Sequence, residues 1–261
     1  MLPYLKNRPL SMKRFVDGID SPGFFQKEAA DYFPDWIQRV TVKKEGGVVH
    51  HVVVNNAATL VYLANQLVIE FHIWLSNIKK LDYPDRLIFD LDPSGKNFNQ
   101  IRKTALKLKK LLEALDLTPF VMTTGSRGLH VVCPLKSDVP FDEVRQFAHE
   151  IAKIMVEHNP DTLTLEMSKD KRQGKIFVDY LRNGFSATSI CPYSTRPHPD
   201  APVATPLAWH EVEKGRLRPN QFTIKNIFKR LELVGDLWKD IDNHAGSIKQ
   251  ARKKLDKLKR R

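Results

Sequence analysis

The segment LIFDLDPSG, residues 87–95, constrains the fold more than any other stretch of this chain. Read as a β-strand, it separates its side chains onto two faces. The apolar face, which suits a buried core, consists of Leu87, Phe89 and Leu91. Asp90 and Asp92 share the opposite face, about 7 Å apart, the spacing of two strand residues. The letters DPSG have the composition of a type I turn, so the strand is predicted to end there.

Two carboxylates on one strand face, next to an abrupt exit, are typical of a divalent metal site at the rim of a sheet. The alternative interpretation is a strand that ends in a turn. In that case Asp92 only forms the turn and Asp90 has no role.

The charge of the chain points to a polyanionic partner. The 261 residues include 42 Lys and Arg against 30 Asp and Glu, a formal net charge of +12. Nucleic acid is the first candidate and an anionic membrane the second. No apolar run approaches the roughly 20 residues that span a bilayer, and the N-terminus has no signal-peptide pattern. Two cysteines are too few for a disulfide framework or a cysteine zinc site, so a reducing cytoplasm is expected.

Other predicted strands also carry polar side chains on one face. In VIEFHIWL, residues 68–75, Glu70, His72 and Trp74 alternate with apolar residues. This face is either one wall of a polar site or a solvated sheet surface. Two aromatic residues, Phe24 and Phe25, stand beside Lys27, a combination that suits base stacking with phosphate neutralisation or a half-buried core.

The turn TGSRG, residues 124–128, combines glycines with groups that bind anions. Gly125 and Gly128 permit a tight turn with backbone amides aimed at an anion. Ser126 and Arg127 add a hydroxyl and a positive charge. On the returning strand His130 alternates with apolar residues, so it is expected to face the same rim as the two aspartates.

A third carboxylate, Asp179, lies in the predicted strand IFVD, with Arg182 three residues later. Three strand carboxylates are what a two-metal nucleotidyl-transfer site requires. The turn at 124–128 can supply the separate donors that a triphosphate needs.

The order of these motifs resembles the archaeo-eukaryotic primase superfamily and, within it, the polymerase domain of bacterial ligase D, an enzyme of non-homologous end joining. The matching segments are RPLSMKRFVDGID, FFQKEA, FDLDPS, TGSRGLHVVCPL, FVDYLRN, YSTRP and APVATPLAWHE. They run from Arg8 to about Glu211 and therefore cover most of the chain.

The resemblance implies a role for each matching residue. Asp90, Asp92 and Asp179 are expected to be catalytic and to bind two Mn²⁺ or Mg²⁺ ions. The residues expected to bind the nucleotide, an NTP or dNTP, are His72, Thr124, Ser126, Arg127, His130, Arg182 and Arg196. The residues expected to contact DNA are Phe24, Phe25, Lys27, Lys43, Lys44 and Arg172.

The resemblance also implies an activity and partners. The family prefers ribonucleotides, extends primers, fills gaps and adds to DNA ends. The expected partners are DNA ends and gapped duplex DNA, with Ku and a separate DNA ligase, in the nucleoid-associated cytoplasm and without a membrane. The family domain normally begins with a further segment that carries a 5′-phosphate pocket. This chain starts downstream of that segment, so either the chain is shortened or it lacks the pocket, and weaker preference for a 5′-phosphate is expected.

The expected fold is α+β, with antiparallel sheets flanked by helices around a primase-polymerase catalytic core. One domain is expected over 1–261, with a basic C-terminal helix within 236–261. Amphipathic helices are predicted over 98–115, capped by Asn97, and over 141–158. The basic residues of the first helix, including Arg102, are expected on its solvated face.

Two other functions compete with this interpretation. A haloacid-dehalogenase-like phosphatase also carries FDLD, but that class has Gly-Thr where this chain has Pro93-Ser94. It also leaves the charge of +12 unexplained. A basic DNA-end-binding module with a weak catalytic site is the other alternative, and it predicts the loss of carboxylates that this chain retains.

Overall fold

The computed structural model describes residues 1–93, 95 and 97–259. The strands are β1 (Leu10–Arg14), β2 (Phe24–Gln26), β3 (Arg39–Lys44), β4 (Gly47–Val52), β5 (Val68–Trp74), β6 (Arg86–Asp92), β7 (Phe120–Thr123), β8 (Leu129–Pro134), β9 (Leu163–Thr164), β10 (Ile176–Asp179), β11 (Thr188–Ile190) and β12 (Thr205–Leu207). The α-helices are α1 (Leu2–Leu5), α2 (Ala57–Asn65), α3 (Phe98–Ala114), α4 (Phe141–Glu157), α5 (Trp209–Glu213), α6 (Ile227–Val234) and α7 (Ile248–Lys259). Short 3₁₀ helices occupy Lys169–Lys171, Leu181–Asn183 and Ile241–His244.

Two sheets face each other and a hairpin stands beside them. The larger sheet has the order β12-β7-β8-β6-β10-β9, and the smaller has the order β11-β5-β1-β2. Neighbouring strands are antiparallel except for the pair β10 and β9. Strands β3 and β4 form a hairpin sheet of their own. The predicted α+β class, with antiparallel sheets flanked by helices, is confirmed.

The alternation along β6 places core residues on one face of the strand and the acidic residues on the other. Leu87, Phe89 and Leu91 are fully buried against α3 and α4 in the main hydrophobic core. On the opposite face Ile88 packs in a second cluster that contains Trp238, and Asp90 follows it in the open cleft between the sheets. Full burial of a leucine- or phenylalanine-sized side chain stabilises a fold by about 1.5–3 kcal/mol. These three residues therefore anchor the strand that carries the aspartates.

The helix predictions over 98–115 and 141–158 agree with α3 and α4, whose apolar stripes lie in the main core. Two details differ. Asn97 precedes α3 but makes no side-chain capping hydrogen bond. Arg102 is buried rather than solvated, because its guanidinium donates to the carbonyl oxygens of Val212 and Glu213 and thus joins α3 to the end of α5.

Local residues account for the turn of the β3–β4 hairpin and for the start of α2. Lys44 pairs with Gly47, so the hairpin turns at Glu45-Gly46, where Gly46 has a φ of +74°. Asn56 caps α2, since its side chain accepts the backbone N–H of Thr59 at 2.8 Å. The turn predicted at 92–95 includes Ser94, which lies outside the described residues. Within the part of the chain that the structure describes, no helix is long and apolar enough to cross a membrane.

Candidate active site

Strand register brings the predicted acidic residues and His130 together. Asp90 on β6 stands opposite His130 on β8 and opposite Asp179 on β10. His130 Nε2 lies 3.4 Å from Asp90 Oδ2. His130 therefore faces the carboxylates, as its alternation with apolar neighbours predicts.

Arg182 joins two of the carboxylates. Its Nη2 lies 3.6 Å from Asp90 Oδ2, and its Nε lies 3.5 Å from Asp179 Oδ2. The 3₁₀ turn Leu181–Asn183 follows β10 directly and carries this arginine back over the strand end. The backbone N–H of Leu181 also donates to Asp179 Oδ1 at 2.7 Å, which fixes that carboxylate.

The three carboxylates differ in how strongly they favour the ionised form. Burial works against ionisation of Asp90, but the neighbouring His130 and Arg182 outweigh it and hold the Asp90 pKa below its usual range. Burial raises the pKa of Asp92, and the charge of Asp90 raises it further. Burial likewise raises the pKa of Asp179, with a smaller opposing contribution from Arg182. The protein chain thus supplies less positive charge than three ionised carboxylates require.

The chemistry of these residues fits a hard divalent cation. Carboxylate oxygens are the ligands that Mg²⁺ and Mn²⁺ prefer. Asp90 Oδ1 is buried without a hydrogen-bond partner among the described residues, and such an orphaned oxygen is costly unless something binds it. In residues 1–93, 95 and 97–259, no three His, Cys, Asp or Glu side chains converge into a complete metal-binding group. The fit therefore rests on donor type and on the unpartnered oxygen.

The glycine turn after β7 has the tight backbone that its sequence predicts. Gly125 has a φ of +69°, and a Cβ there would lie 2.9 Å from the backbone nitrogen of Ala204. A Cβ on Gly128 would lie 2.5 Å from the carbonyl oxygen of Leu91, so only glycine allows the turn to approach β6 this closely. Thr124 Oγ1 accepts the backbone N–H groups of Ser126 and Gly128 at 3.3 Å each. In this structure the Thr124 hydroxyl therefore braces the turn.

The opposite wall of the cleft belongs to the smaller sheet and is centred on Glu70. This carboxylate is 1% exposed. It accepts a hydrogen bond from His72 Nε2 at 2.7 Å, and it lies 3.3 Å from Arg196 Nε and 3.9 Å from Lys13 Nζ. Burial opposes ionisation of Glu70, but the hydrogen bond from His72 and the charge of Arg196 hold its pKa below the usual range.

Glu70 and Lys13 are absent from the predicted site residues. The alternation of VIEFHIWL placed Glu70 on the same face as His72, so a signal for Glu70 was present. Lys13 had no such signal, because only the pairing of β1 with β5 brings it to this wall.

The two walls enclose a cleft of about 390 Å³. Asp90 and Asp92 line it, and Asp179 lines the adjoining hollow. The predicted nucleotide-binding residues that line the cleft are His72, Thr124, Ser126, Arg127, His130, Arg182 and Arg196. The sequence-based selection therefore converges on one place, with acidic side chains on one wall and mostly basic ones around them.

The residues predicted to contact DNA lie in two different settings. Phe24 and Phe25 are 45% and 57% exposed, and the Phe25 ring meets His72 at the cleft with 5.2 Å between centroids. Lys27, Lys43 and Lys44 line a separate cavity beside the β3–β4 hairpin. These positions leave the aromatic faces and the lysine side chains open to a ligand.

Arg172, which is predicted to contact DNA, is buried in this structure. It is only 5% exposed, and its guanidinium donates to the carbonyl oxygens of Glu166 and Met167 and lies 4.2 Å from the ring centroid of Phe177. In this structure the side chain holds its own loop together rather than presenting a charge to solvent. The basic composition of the loop does not show whether an arginine faces solvent or packs inward onto the loop.

Comparison with known proteins gives consistent matches. Residues 1–238 match the family model described as LigD, primase-polymerase domain. The chain is 36% identical over 237 residues to the bifunctional non-homologous end joining protein LigD of Bacillus subtilis (strain 168), covering 90% of this chain and 38% of that protein. It is 31% identical over 248 residues to the multifunctional non-homologous end joining protein LigD of Mycolicibacterium smegmatis, covering 94% of this chain and 32% of that protein.

A solved structure matches the fold as a whole. The polymerase domain from Mycobacterium tuberculosis ligase D in complex with DNA superposes with a TM-score of 0.86 at 32% identity. The match covers 94% of this chain and 88% of the solved one. By contrast, the chain spans about a third of the length of the curated relatives.

Proposed function

Because the chain belongs to the LigD primase-polymerase domain family, we propose that it is a metal-dependent nucleotidyltransferase acting at DNA breaks. It adds nucleotides, by preference ribonucleotides, to DNA 3′ ends and into gaps during repair by non-homologous end joining. The observation that carries this proposal is the register of Asp90 with Asp179 and His130, beside a glycine turn and opposite a basic wall.

Each part of the cleft has a chemical task in this reaction. Asp90, Asp92 and Asp179 would hold two divalent cations, which would supply charge neutralisation at the attacking 3′-hydroxyl and the leaving pyrophosphate. Ser126, Arg127 and His130 bind the triphosphate. Charge-assisted hydrogen bonds from such groups are roughly twice as strong as neutral ones.

The basic wall orients the nucleotide against the carboxylates. Arg196 and His72 are held by the buried Glu70, so the Arg196 guanidinium and the His72 ring keep a fixed direction. Arg182 lies close to both Asp90 and Asp179, and its positive charge offsets the repulsion between the two carboxylates. Phe24 and Phe25 stack near the templating base, since base–aromatic stacking contributes about 1–3 kcal/mol per base.

The partners are those of a DNA-end enzyme. The solved relative is a polymerase domain in complex with DNA, and we extend DNA binding to this chain on the basis of its exposed aromatic and lysine side chains. Ku and a separate DNA ligase are proposed as further partners in the same repair reaction.

The test is extension of a 5′-labelled gapped duplex with ATP or dATP, in Mn²⁺ or Mg²⁺. We expect extension to be greater with ATP and with Mn²⁺. Asp90→Asn keeps the size of the side chain and removes its charge, and it should lower the rate about 100-fold or more. The matched control is Asp17→Asn, the same change at an exposed loop position. No extension by the wild-type protein, or equal rates for the two variants, would contradict the proposal.

A further inference from the structure

Arg196 reaches the cleft from a loop that folds back on itself. The loop runs from Cys191 to Ala204, between β11 and β12, and we name it the arginine loop. The backbone N–H of Arg196 donates to the carbonyl oxygen of Pro202 at 2.8 Å, and the N–H of Ala204 donates to the carbonyl oxygen of Ser194 at 2.9 Å. The loop is therefore one hydrogen-bonded unit, and its attachment points decide where Arg196 lies.

Two side chains attach the arginine loop to the backbone of β5 on either side of Glu70. Ser194 Oγ accepts the N–H of the residue after Glu70 at 3.0 Å, and Thr195 Oγ1 donates to the carbonyl oxygen of the residue before Glu70 at 2.7 Å. The next side chain is Arg196, whose Nε lies 3.3 Å from Glu70 Oε1. This end of the loop is therefore fixed at the cleft wall itself.

The stem of Arg196 packs against the glycine turn. A Cβ on Gly125 would lie 2.9 Å from Arg196 Cγ and 2.9 Å from the backbone nitrogen of Ala204. The position of the arginine loop therefore decides where the Arg196 charge lies between Glu70 and the turn proposed to bind the triphosphate.

A further attachment, at Tyr193, is made outside the cleft. The Tyr193 hydroxyl donates to Asp236 Oδ1 at 2.7 Å. The same carboxylate accepts from Tyr4 on α1, whose hydroxyl lies 2.7 Å from Oδ2 and 2.8 Å from Oδ1, and from the backbone N–H of Trp238 at 3.1 Å. We name Tyr4, Tyr193 and Asp236 the Asp236 cluster. It ties the arginine loop to the segment that follows α6.

Tyr193 has a backbone conformation that needs such a restraint. Its φ is +69°, a left-handed value that is uncommon for a bulky residue and persists only where the surrounding structure holds it. Burial raises the pKa of Tyr193 and the hydrogen bond to Asp236 raises it further, so the phenol keeps its proton near pH 7 and continues to donate. The Asp236 contact therefore helps to hold the chain reversal three residues before Arg196.

We propose that Tyr193 and Asp236 are positioning residues for the nucleotide, because their hydrogen bond holds the arginine loop where Arg196 meets the triphosphate. This inference rests on the proposed function, since it takes a nucleoside triphosphate as the substrate. Neither residue lines the cleft, so both act on the nucleotide through Arg196.

The test compares two variants that each remove one hydroxyl from the Asp236 cluster. Tyr193→Phe removes the hydroxyl that holds the arginine loop and keeps the ring. Tyr4→Phe is the matched control, because it makes the same change at the same carboxylate from α1, a helix with no residue in the cleft lining. Extension of a primed gapped duplex is measured at varied ATP in Mn²⁺, and urea unfolding of the same samples reports stability.

We expect Tyr193→Phe to raise the KM for ATP about 5- to 10-fold, with kcat within about 2-fold of the wild-type value, because the lost contact serves nucleotide binding. Tyr4→Phe should keep a KM within about 2-fold of the wild type, although both variants lose stability. If the cluster served stability alone, the two variants would share the same KM.

A double-mutant cycle tests whether Tyr193 acts through Arg196. The ratio kcat/KM for ATP is taken from initial rates at low ATP, so that weak variants remain measurable. In the wild-type background Tyr193→Phe should lower kcat/KM about 5- to 10-fold. In the Arg196→Ala background the same change should lower it by less than about 2-fold, because the side chain that the loop presents is already gone.

Either of two results would overturn the inference by itself. One is an equal KM for ATP in Tyr193→Phe and Tyr4→Phe. The other is an effect of Tyr193→Phe on kcat/KM that is as large in the Arg196→Ala background as in the wild type. A wild-type protein that does not extend the gapped duplex with ATP would instead overturn the proposed function, and the inference with it.

Discussion

Glu70 shows at the scale of one residue how a buried charge can position a binding surface. Its carboxylate has no open face and contacts Arg196, His72 and Lys13. Each of these side chains also lines the cleft. The carboxylate therefore sets the direction of side chains that line the proposed nucleotide site.

Replacing Glu70 with Gln keeps the shape and removes the charge. We expect the free energy of unfolding to fall by about 1–3 kcal/mol, because Gln replaces one acceptor oxygen with an NH2 donor and removes the charge that pairs with Arg196 and Lys13. The KM for nucleotide should rise about 10-fold, equivalent to about 1.4 kcal/mol of binding, while kcat changes less. Steady-state extension kinetics and urea unfolding measure these effects. Glu113→Gln is the control, since that exposed carboxylate pairs only with Lys109 on α3 among the described residues, and equal KM values in both variants would refute this role of Glu70.

Asp92 should limit stability when no cation is bound. Burial and the neighbouring Asp90 raise the Asp92 pKa in the folded chain, so the folded state binds its proton more tightly than the unfolded state. The cost of ionising Asp92 therefore appears as the pH rises above the unfolded value of about 3.9. In chelator at pH 7, Asp92→Asn should melt a few degrees higher than wild type, and the gap should close below about pH 4.

Adding Mn²⁺ separates this effect from a simple gain in packing. The cation should raise the Tm of the wild-type protein more than that of Asp92→Asn, because the variant lacks one carboxylate. If Asp92→Asn melts lower than wild type in chelator at pH 7, ionised Asp92 does not destabilise the protein without a cation.

At the scale of the element, Asn183 extends a sheet with a side chain. Strand β10 ends at Asp179, beyond which β6 loses its backbone partner on that side. Asn183 fills the gap, since its Oδ1 accepts the Ile88 N–H at 2.8 Å and its Nδ2 donates to the Ile88 carbonyl at 2.7 Å. The chain can therefore leave the sheet at Asp179 and carry Arg182 over the site with no backbone group of Ile88 left unpaired.

Asn183→Ala should lower the free energy of unfolding by about 2–6 kcal/mol, because two buried backbone groups lose their partners at about 1–3 kcal/mol each. Guanidinium unfolding measures the loss, and hydrogen exchange at the Ile88 amide should become faster. Asn220→Ala, at an exposed position, should change stability by less than about 0.5 kcal/mol. If Asn183→Ala also changes stability by less than about 0.5 kcal/mol, Asn183 does not serve as the partner of the Ile88 backbone.

The sequence predicted the elements whose signals are local. Alternation placed Asp90 and His130 on one face, and helical periodicity placed the stripes of α3 and α4, because each pattern reports only which side of an element is buried. The same patterns could not predict Asn183 or Arg102, whose partners lie 95 and 110 positions away. The burial of Arg172 escaped the sequence for another reason, since a long side chain can turn inward onto nearby carbonyls from a loop of basic composition.

At the scale of the whole molecule, the charge of +12 predicts binding that weakens with salt. Each phosphate contact contributes about 0.9 to the slope of log K against log [salt] on duplex DNA. A variant with Lys27, Lys43 and Lys44 changed to Ala should therefore lose about 2–3 units of slope. Fluorescence anisotropy of a primed duplex, titrated with the protein at KCl concentrations from about 50 to about 300 mM, measures this slope.

The matched control changes Lys249, Lys253 and Lys257 to Ala. These lysines are exposed on α7, and their removal lowers the net charge by the same amount. We expect this control to keep a slope near that of the wild type. Equal slopes in the two triple variants would mean that total charge, rather than the hairpin side of the molecule, governs DNA binding.

The alternation of β6 has a consequence for how this domain can evolve. Odd-numbered positions face the main core and even-numbered positions 90 and 92 face the cleft, so adjacent residues of this strand are under different selective constraints. Drift at positions 87, 89 and 91 is limited by the amount of folded protein in the cell. Under the proposed function, drift at 90 and 92 is limited by turnover instead, and a lineage that no longer needs the reaction can lose both aspartates and keep a folded protein.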